Sequence, residues 1–202
     1  MTRDRTLGER YERMSLHQLV CAGTGAHFLF ELGGGSGLFL QRWLGLGGAT
    51  ALWAAVLAAW TTAARRGRAS RLLAAAAGSA LGTVVLHFDV WPWSLRRGLP
   101  LLEHAEGFKP SWVPAYNALL YGWSAASLSA ITVHTPRGAR RWAIVGFLIT
   151  VPAKREALRH YAWLQEQARV RPAWWNRSGR RRPGLDIESD EWRLVDGPEA
   201  PS

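Results

Sequence analysis

Cysteine, lysine and acidic residues are all scarce where they would matter most. One cysteine, Cys21, lies inside an apolar run with no partner, which excludes a disulfide framework and a thiol redox relay. Between residues 15 and 153 the only acids are Glu31, Asp89, Glu103 and Glu106. Local metal and phosphate motifs are missing as well. No HxxxH or HxxHH box of the membrane di-iron oxygenases is present, nor an HExxH helix, nor the paired cysteines of a zinc site. The glycine run Gly33–Gly37 lacks the lysine and the preceding strand of a phosphate loop, and no aspartate-rich diphosphate motif occurs. These absences lead us to expect no metal and no cofactor.

What the chain does have is long apolar runs separated by arginine. Of its 25 basic residues only Lys109 and Lys154 are lysine, and the formal net charge is +10. In a soluble protein that excess would suggest nucleic acid. Here Arg65, Arg66, Arg68 and Arg71, and again Arg137, Arg140 and Arg141, sit at the ends of apolar segments. Anionic lipid headgroups are therefore the expected counterions, and no nucleic acid is expected. The arginine, alanine and glycine bias fits a bacterial source with a GC-rich genome.

The apolar runs cover Leu16–Leu32, Leu44–Ala64, Leu72–Val90 and Trp112–Thr132, with a shorter one at Trp142–Ala153. Each of the first four approaches the ~20 residues that span a bilayer. Ser15 reads as the N-cap of the first, and GLFLQRW after the glycine run as its continuation. Arg13 precedes an apolar core without a clean cleavage site, so the first helix is expected to be retained. The fifth run contains Pro152 and reaches spanning length only if its helix continues through Tyr161. The pattern predicts an all-α, polytopic membrane helix bundle of about five transmembrane helices in the cell membrane. Its expected parts are a polar segment at 1–14, the bundle at 15–166, and a disordered tail at 167–202, first basic and then acidic. The arginine loops place the N-terminus inside and the 86–124 connection outside.

Chemistry is expected where ionisable groups meet these runs, because an acid in a membrane segment is costly to keep. His27 and Glu31 are four apart and share a helix face with Thr24. Asp89 ends the third run beside Trp91 and Trp93, and burial would keep its carboxyl protonated as a general acid requires. Glu103, His104 and Glu106 form the densest ionisable cluster. Tyr116, Asn117 and Tyr121 open the fourth run, where aromatic rings beside acids suit a carbocation. Interfacial aromatic packing and helix-helix polar pairing explain the same residues without any chemistry.

Compact helices, isolated carboxyls near a membrane face, and segments such as EHAEG (103–107) and YNALLYGW (116–123) together resemble one family. It is that of the small integral-membrane terpene cyclases of meroterpenoid and indole-terpenoid pathways, with the likeness running from Leu16 to Leu164. The resemblance implies metal-independent, proton-initiated cyclisation of a lipophilic prenyl chain or its terminal epoxide, with acidic residues as the proton source. Asp89 or Glu31 would be the acid, Trp91, Trp93, Tyr116, Asn117 and Tyr121 the substrate-binding set, and His27, His104 or a second carboxylate the base. Two other readings remain: a sterol or lipid isomerase of the emopamil-binding type, and a non-catalytic membrane subunit.

Overall fold

The computed structural model describes the backbone of residues 4–181 and the side chains of 16–180. The chain is predominantly helical. Among the described residues five α-helices run over Asp4–Gly34 (α1), Gln41–Arg65 (α2), Ser70–Val90 (α3), Val113–Ser129 (α4) and Arg141–Val170 (α5). A two-stranded antiparallel hairpin, β1 (Trp93–Arg96) and β2 (Leu99–Leu102), stands between α3 and α4.

Several boundaries differ from the sequence reading. α1 begins at Asp4, so Ser15 lies inside the helix and is not its N-cap. Its polar first turns continue the apolar run because 4–14 holds no proline and only one glycine, Gly8. GLFLQRW does not extend α1. The chain turns at Gly35–Leu40, and Gln41 starts α2. Gly37 holds φ +68 in that turn, and a Cβ there would press on the Gln41 side chain at 2.8 Å, so the position needs glycine. The hairpin has no counterpart in the sequence reading. Arg97 and Gly98, both at positive φ, turn it.

α5 is one continuous helix of 30 residues with Pro152 inside it, as the extended reading of the fifth run requires. The tail expected from 167 starts later and is partly folded. α5 runs on to Val170, and Trp174–Arg181 form a 3-10 turn that folds back on α5. There Asn176 and Ser178 are buried, and Ser178 donates its amide to the Gly35 carbonyl. The rest of that tail, 182–202, lies outside the described residues.

Small residues set the tightest packing. A Cβ on Gly78 would lie 1.9 Å from the Ala143 carbonyl oxygen, and one on Gly146 would lie 1.9 Å from that of Ala75. One turn on, Gly82 meets the Thr150 side chain and the Phe147 carbonyl, so α3 and α5 run parallel in close contact. α4 runs antiparallel to α1, with His17 near Thr135 at one end, Gly23 under Trp123 in the middle and Gly34 under Phe108 at the other. Substituting Gly146 by Val is expected to destabilise the fold by at least the ~1–3 kcal/mol typical of overpacking. Thermal unfolding in detergent would read this as a lowered midpoint, and an unchanged midpoint would contradict the α3–α5 contact.

α2 and α3 are each long and apolar enough to cross a membrane. α2 lies on the outside of the bundle, and only 6 % of its apolar window is buried. A core helix of a water-soluble protein would hide that surface.

Candidate active site

The polar centre of the bundle is the Nε2 atom of His87. The α3 helix delivers it: His87 Nδ1 lies 2.6 Å from the Thr83 carbonyl oxygen, one turn back. A carbonyl only accepts, so Nδ1 carries the proton of this bond and Nε2 faces inward. Around Nε2 stand four groups from three other segments. The Tyr116 hydroxyl of α4 is at 2.8 Å and His27 Nε2 of α1 at 3.2 Å. Glu106 Oε1 from the loop before α4 is at 3.4 Å, and Glu31 Oε1 of α1 at 3.8 Å. His27 Nε2 is itself 3.4 Å from Glu31 Oε1, the pair that the four-residue spacing puts on one face.

All five residues are buried, Glu106 completely at 0 % exposure. Glu106 gets there by an unusual backbone. It holds φ +54 in the left-handed region, which a non-glycine residue adopts at a cost of ~1–3 kcal/mol unless its surroundings compensate. Two bonds hold it in place. The Trp91 indole N–H donates to Oε1 at 2.7 Å, and the Ser36 hydroxyl donates to its carbonyl at 2.7 Å.

His27, Glu31 and His87 line one wall of a cavity of ≈ 230 Å³ between α1, α2, α3 and α5. Aromatic side chains line it as well, namely Phe28, Phe39, Trp53, Trp60 and Trp123, with Phe28 and Trp123 against the His27 ring. Tyr161 and His160 of α5 close one side. Ile149, which is 60 % exposed, also lines the cavity, so it opens sideways along the bundle surface. Ligand pockets for drug-sized molecules run to about 300–1,000 Å³. This one fits the end of a chain whose remainder lies outside.

The candidate residues drawn from the sequence divide sharply. His27, Glu31, Glu106, Trp91 and Tyr116 converge on His87, which the sequence pattern did not rank as a site. Asp89 does not join them. Its side chain is 54 % exposed and pairs with Lys154 at 3.2 Å across α3–α5. Two positions on from His87 along a helix, it points to the opposite side. Glu103 and His104 are exposed on the loop. Trp93 is 47 % exposed on the hairpin. Asn117 and Tyr121 hold the hairpin. Asn117 bonds both backbone groups of Leu102, and the Tyr121 hydroxyl donates to the Pro100 carbonyl at 2.6 Å. His160 and the cavity aromatics do not stand out in the sequence. Their signal is faint, because His160 sits on a stretch of α5 that reads as an amphipathic surface helix.

No family model matches the chain, nor does any curated protein or solved structure.

Proposed function

We propose that this chain is a polytopic membrane enzyme that protonates the terminal alkene or epoxide of a lipophilic prenyl chain and cyclises it. The observation that carries this reading is the pairing of Glu31 and Glu106 on His87 Nε2, beside the Tyr116 hydroxyl, on the polar wall of an aromatic cavity. A proton shared among two carboxyls and an imidazole is an acid with its own relay. The rings lining the cavity suit a cation and exclude the water that would quench it.

Proton transfer begins at Glu31, which lines the cavity while Glu106 backs His87 from behind. A carboxyl proton passes to the terminal alkene carbon, or to the epoxide oxygen as its C–O bond opens. The tertiary cation left behind is attacked by the next double bond, closing a ring. Loss of a proton from the last cation to His160 or to the Glu31 carboxylate ends the sequence. Return of that proton to Glu31 restores the acid, so the product has the mass of the substrate.

Membrane residence supports the same reading. Beyond α2 and α3, apolar side chains on the other helices face outward, among them Leu29, Leu128, Val133, Ile144 and Leu148. A cavity that opens sideways through such a surface collects its substrate from the bilayer. Reporter fusions after Arg66, Arg97, Arg140 and Arg180 are expected to read inside, outside, inside and outside. An inside reading at Arg180 would remove α5 from the spans.

The function is tested with the full chain in detergent micelles and a prenyl phenol bearing a terminal epoxide, with products followed by mass and NMR. A product of unchanged mass is expected in which the epoxide has become a hydroxyl and a new carbocycle has closed, and Glu31→Gln should not form it. A product with a shifted double bond and no new ring would favour the isomerase. Absence of turnover on prenyl alkenes and epoxides alike would remove the reading.

A further inference from the structure

We propose that His27, Glu31 and His87 form a three-ligand site for a divalent transition-metal ion, of which Zn²⁺ fits best. The site stands without the cyclase reading, and where it holds an ion the acid of that reading is a water on the ion in place of the Glu31 carboxyl. One ligand atom from each residue, Nε2, Oε1 and Nε2, lies in a single buried triangle with sides of 3.2, 3.4 and 3.8 Å. Around a tetrahedral zinc with bonds of ~2.0–2.1 Å, ligand atoms sit about 3.3–3.4 Å apart. The triangle has that size.

The chemistry of the donors agrees with the spacing. His87 spends its Nδ1 proton on the Thr83 carbonyl, so its Nε2 presents a lone pair to the centre. Metal-binding imidazoles are braced in that way, with the other nitrogen donating to a carbonyl or carboxylate. His27 lacks a partner at Nδ1 among the described residues, but its ring is fixed between Trp123 and Phe28, at 5.0 and 5.4 Å. Glu106 brings a further oxygen toward the same His87 nitrogen, and without an ion the Tyr116 hydroxyl donates to it. Nitrogen and oxygen donors thus crowd one point from several sides.

A positive ion would balance these groups. With neutral imidazoles, Glu31 and Glu106 would place two negative charges in a buried region, which a divalent ion offsets in full. Two imidazoles and a carboxylate are also the ligand set of catalytic zinc sites that keep one position open. All three ligands line the cavity, so the open position faces its interior. A water on the ion would then be the Brønsted acid offered to substrate, with Glu106 close to the relay. Imidazole with carboxylate suits zinc or iron better than the harder magnesium or calcium.

The test measures metal content of the full chain, purified in detergent without chelator, by elemental analysis. About one zinc per chain is expected in the wild type and in Asp89→Asn, and a small fraction of that in His27→Ala, Glu31→Gln and His87→Ala. Iron at the same stoichiometry, lost in the same variants, would equally support the site. Because those variants could misfold, wild-type protein is also stripped with chelator and titrated with Zn²⁺ and Co²⁺. Saturable uptake of one equivalent, with Co²⁺ absorption bands typical of low-coordinate nitrogen–oxygen ligation, is expected. Stripped, folded protein that takes up neither ion would overturn the proposal. So would wild-type metal that persists undiminished in His27→Ala and His87→Ala. Uptake is read without turnover, so a chain that holds the ion and cyclises nothing keeps the site and loses the cyclase reading.

Discussion

Glu106→Gln is expected to reduce turnover by ~10²–10⁴-fold, the usual loss when an acid–base group is removed. Asp89→Asn and Glu103→Gln should leave it close to wild type. The reason is position. Glu106 is wholly buried, held by Trp91 and 3.4 Å from His87 Nε2, and the amide of Gln can keep the Trp91 bond while carrying no exchangeable acid. Asp89 ends the same helix as His87 but faces Lys154 at the surface. Rates would be measured with the epoxide substrate at matched protein amounts, with size-exclusion profiles to confirm folding. A fully active Glu106→Gln beside an inactive Asp89→Asn would move the chemistry to the α3–α5 face.

The sequence ranks these acids differently, and the reason is physical. His27 and Glu31 are legible as a pair because helical spacing alone puts them together. The five helices are legible in the same way, from length and apolar content. Asp89 looks like the better acid because an apolar run ends there, but a run's end says nothing about which side of the helix a residue takes. Glu106 looks no different from Glu103 and His104, three neighbours in one loop. Its burial comes from a left-handed residue and from bonds to Ser36 and Trp91, partners 70 and 15 positions away. No local pattern encodes that.

The same limit applies to the metal site. Motif searches look for ligands close in sequence, and here one helix gives a His–Glu pair while the third ligand arrives from another helix 60 residues from His27. The absence of HExxH is a sound observation about one helix. It does not bear on a site assembled from two. The folded turn at Trp174–Arg181 shows a related effect. Its arginines and glycine look unstructured, yet Arg177 reaches the carbonyls of Gly33 and Gly34 at the end of α1, satisfying groups that a helix end leaves bare.

The largest combined effect is expected at His87. His87→Ala would leave Glu31, Glu106 and the Tyr116 hydroxyl facing the space where Nε2 had been, and removing one partner of a buried charged cluster typically costs ~3–5 kcal/mol. Lower expression and a lower unfolding midpoint in detergent should follow, along with loss of turnover. That result alone would not separate a structural role from a chemical one. His87→Asn does. Its amide can approach the Thr83 carbonyl much as Nδ1 does, but it offers nothing at the position of Nε2. The Asn variant is therefore expected to recover most of the stability lost in Ala while remaining inactive and metal-free. If His87→Asn turns over substrate near the wild-type rate, Nε2 is neither relay nor ligand, and Glu31 and Glu106 act without it. If it is as unstable as His87→Ala, the cluster is held together through Nε2 itself, and the Tyr116 and carboxyl contacts to that atom are part of the fold as well as the site.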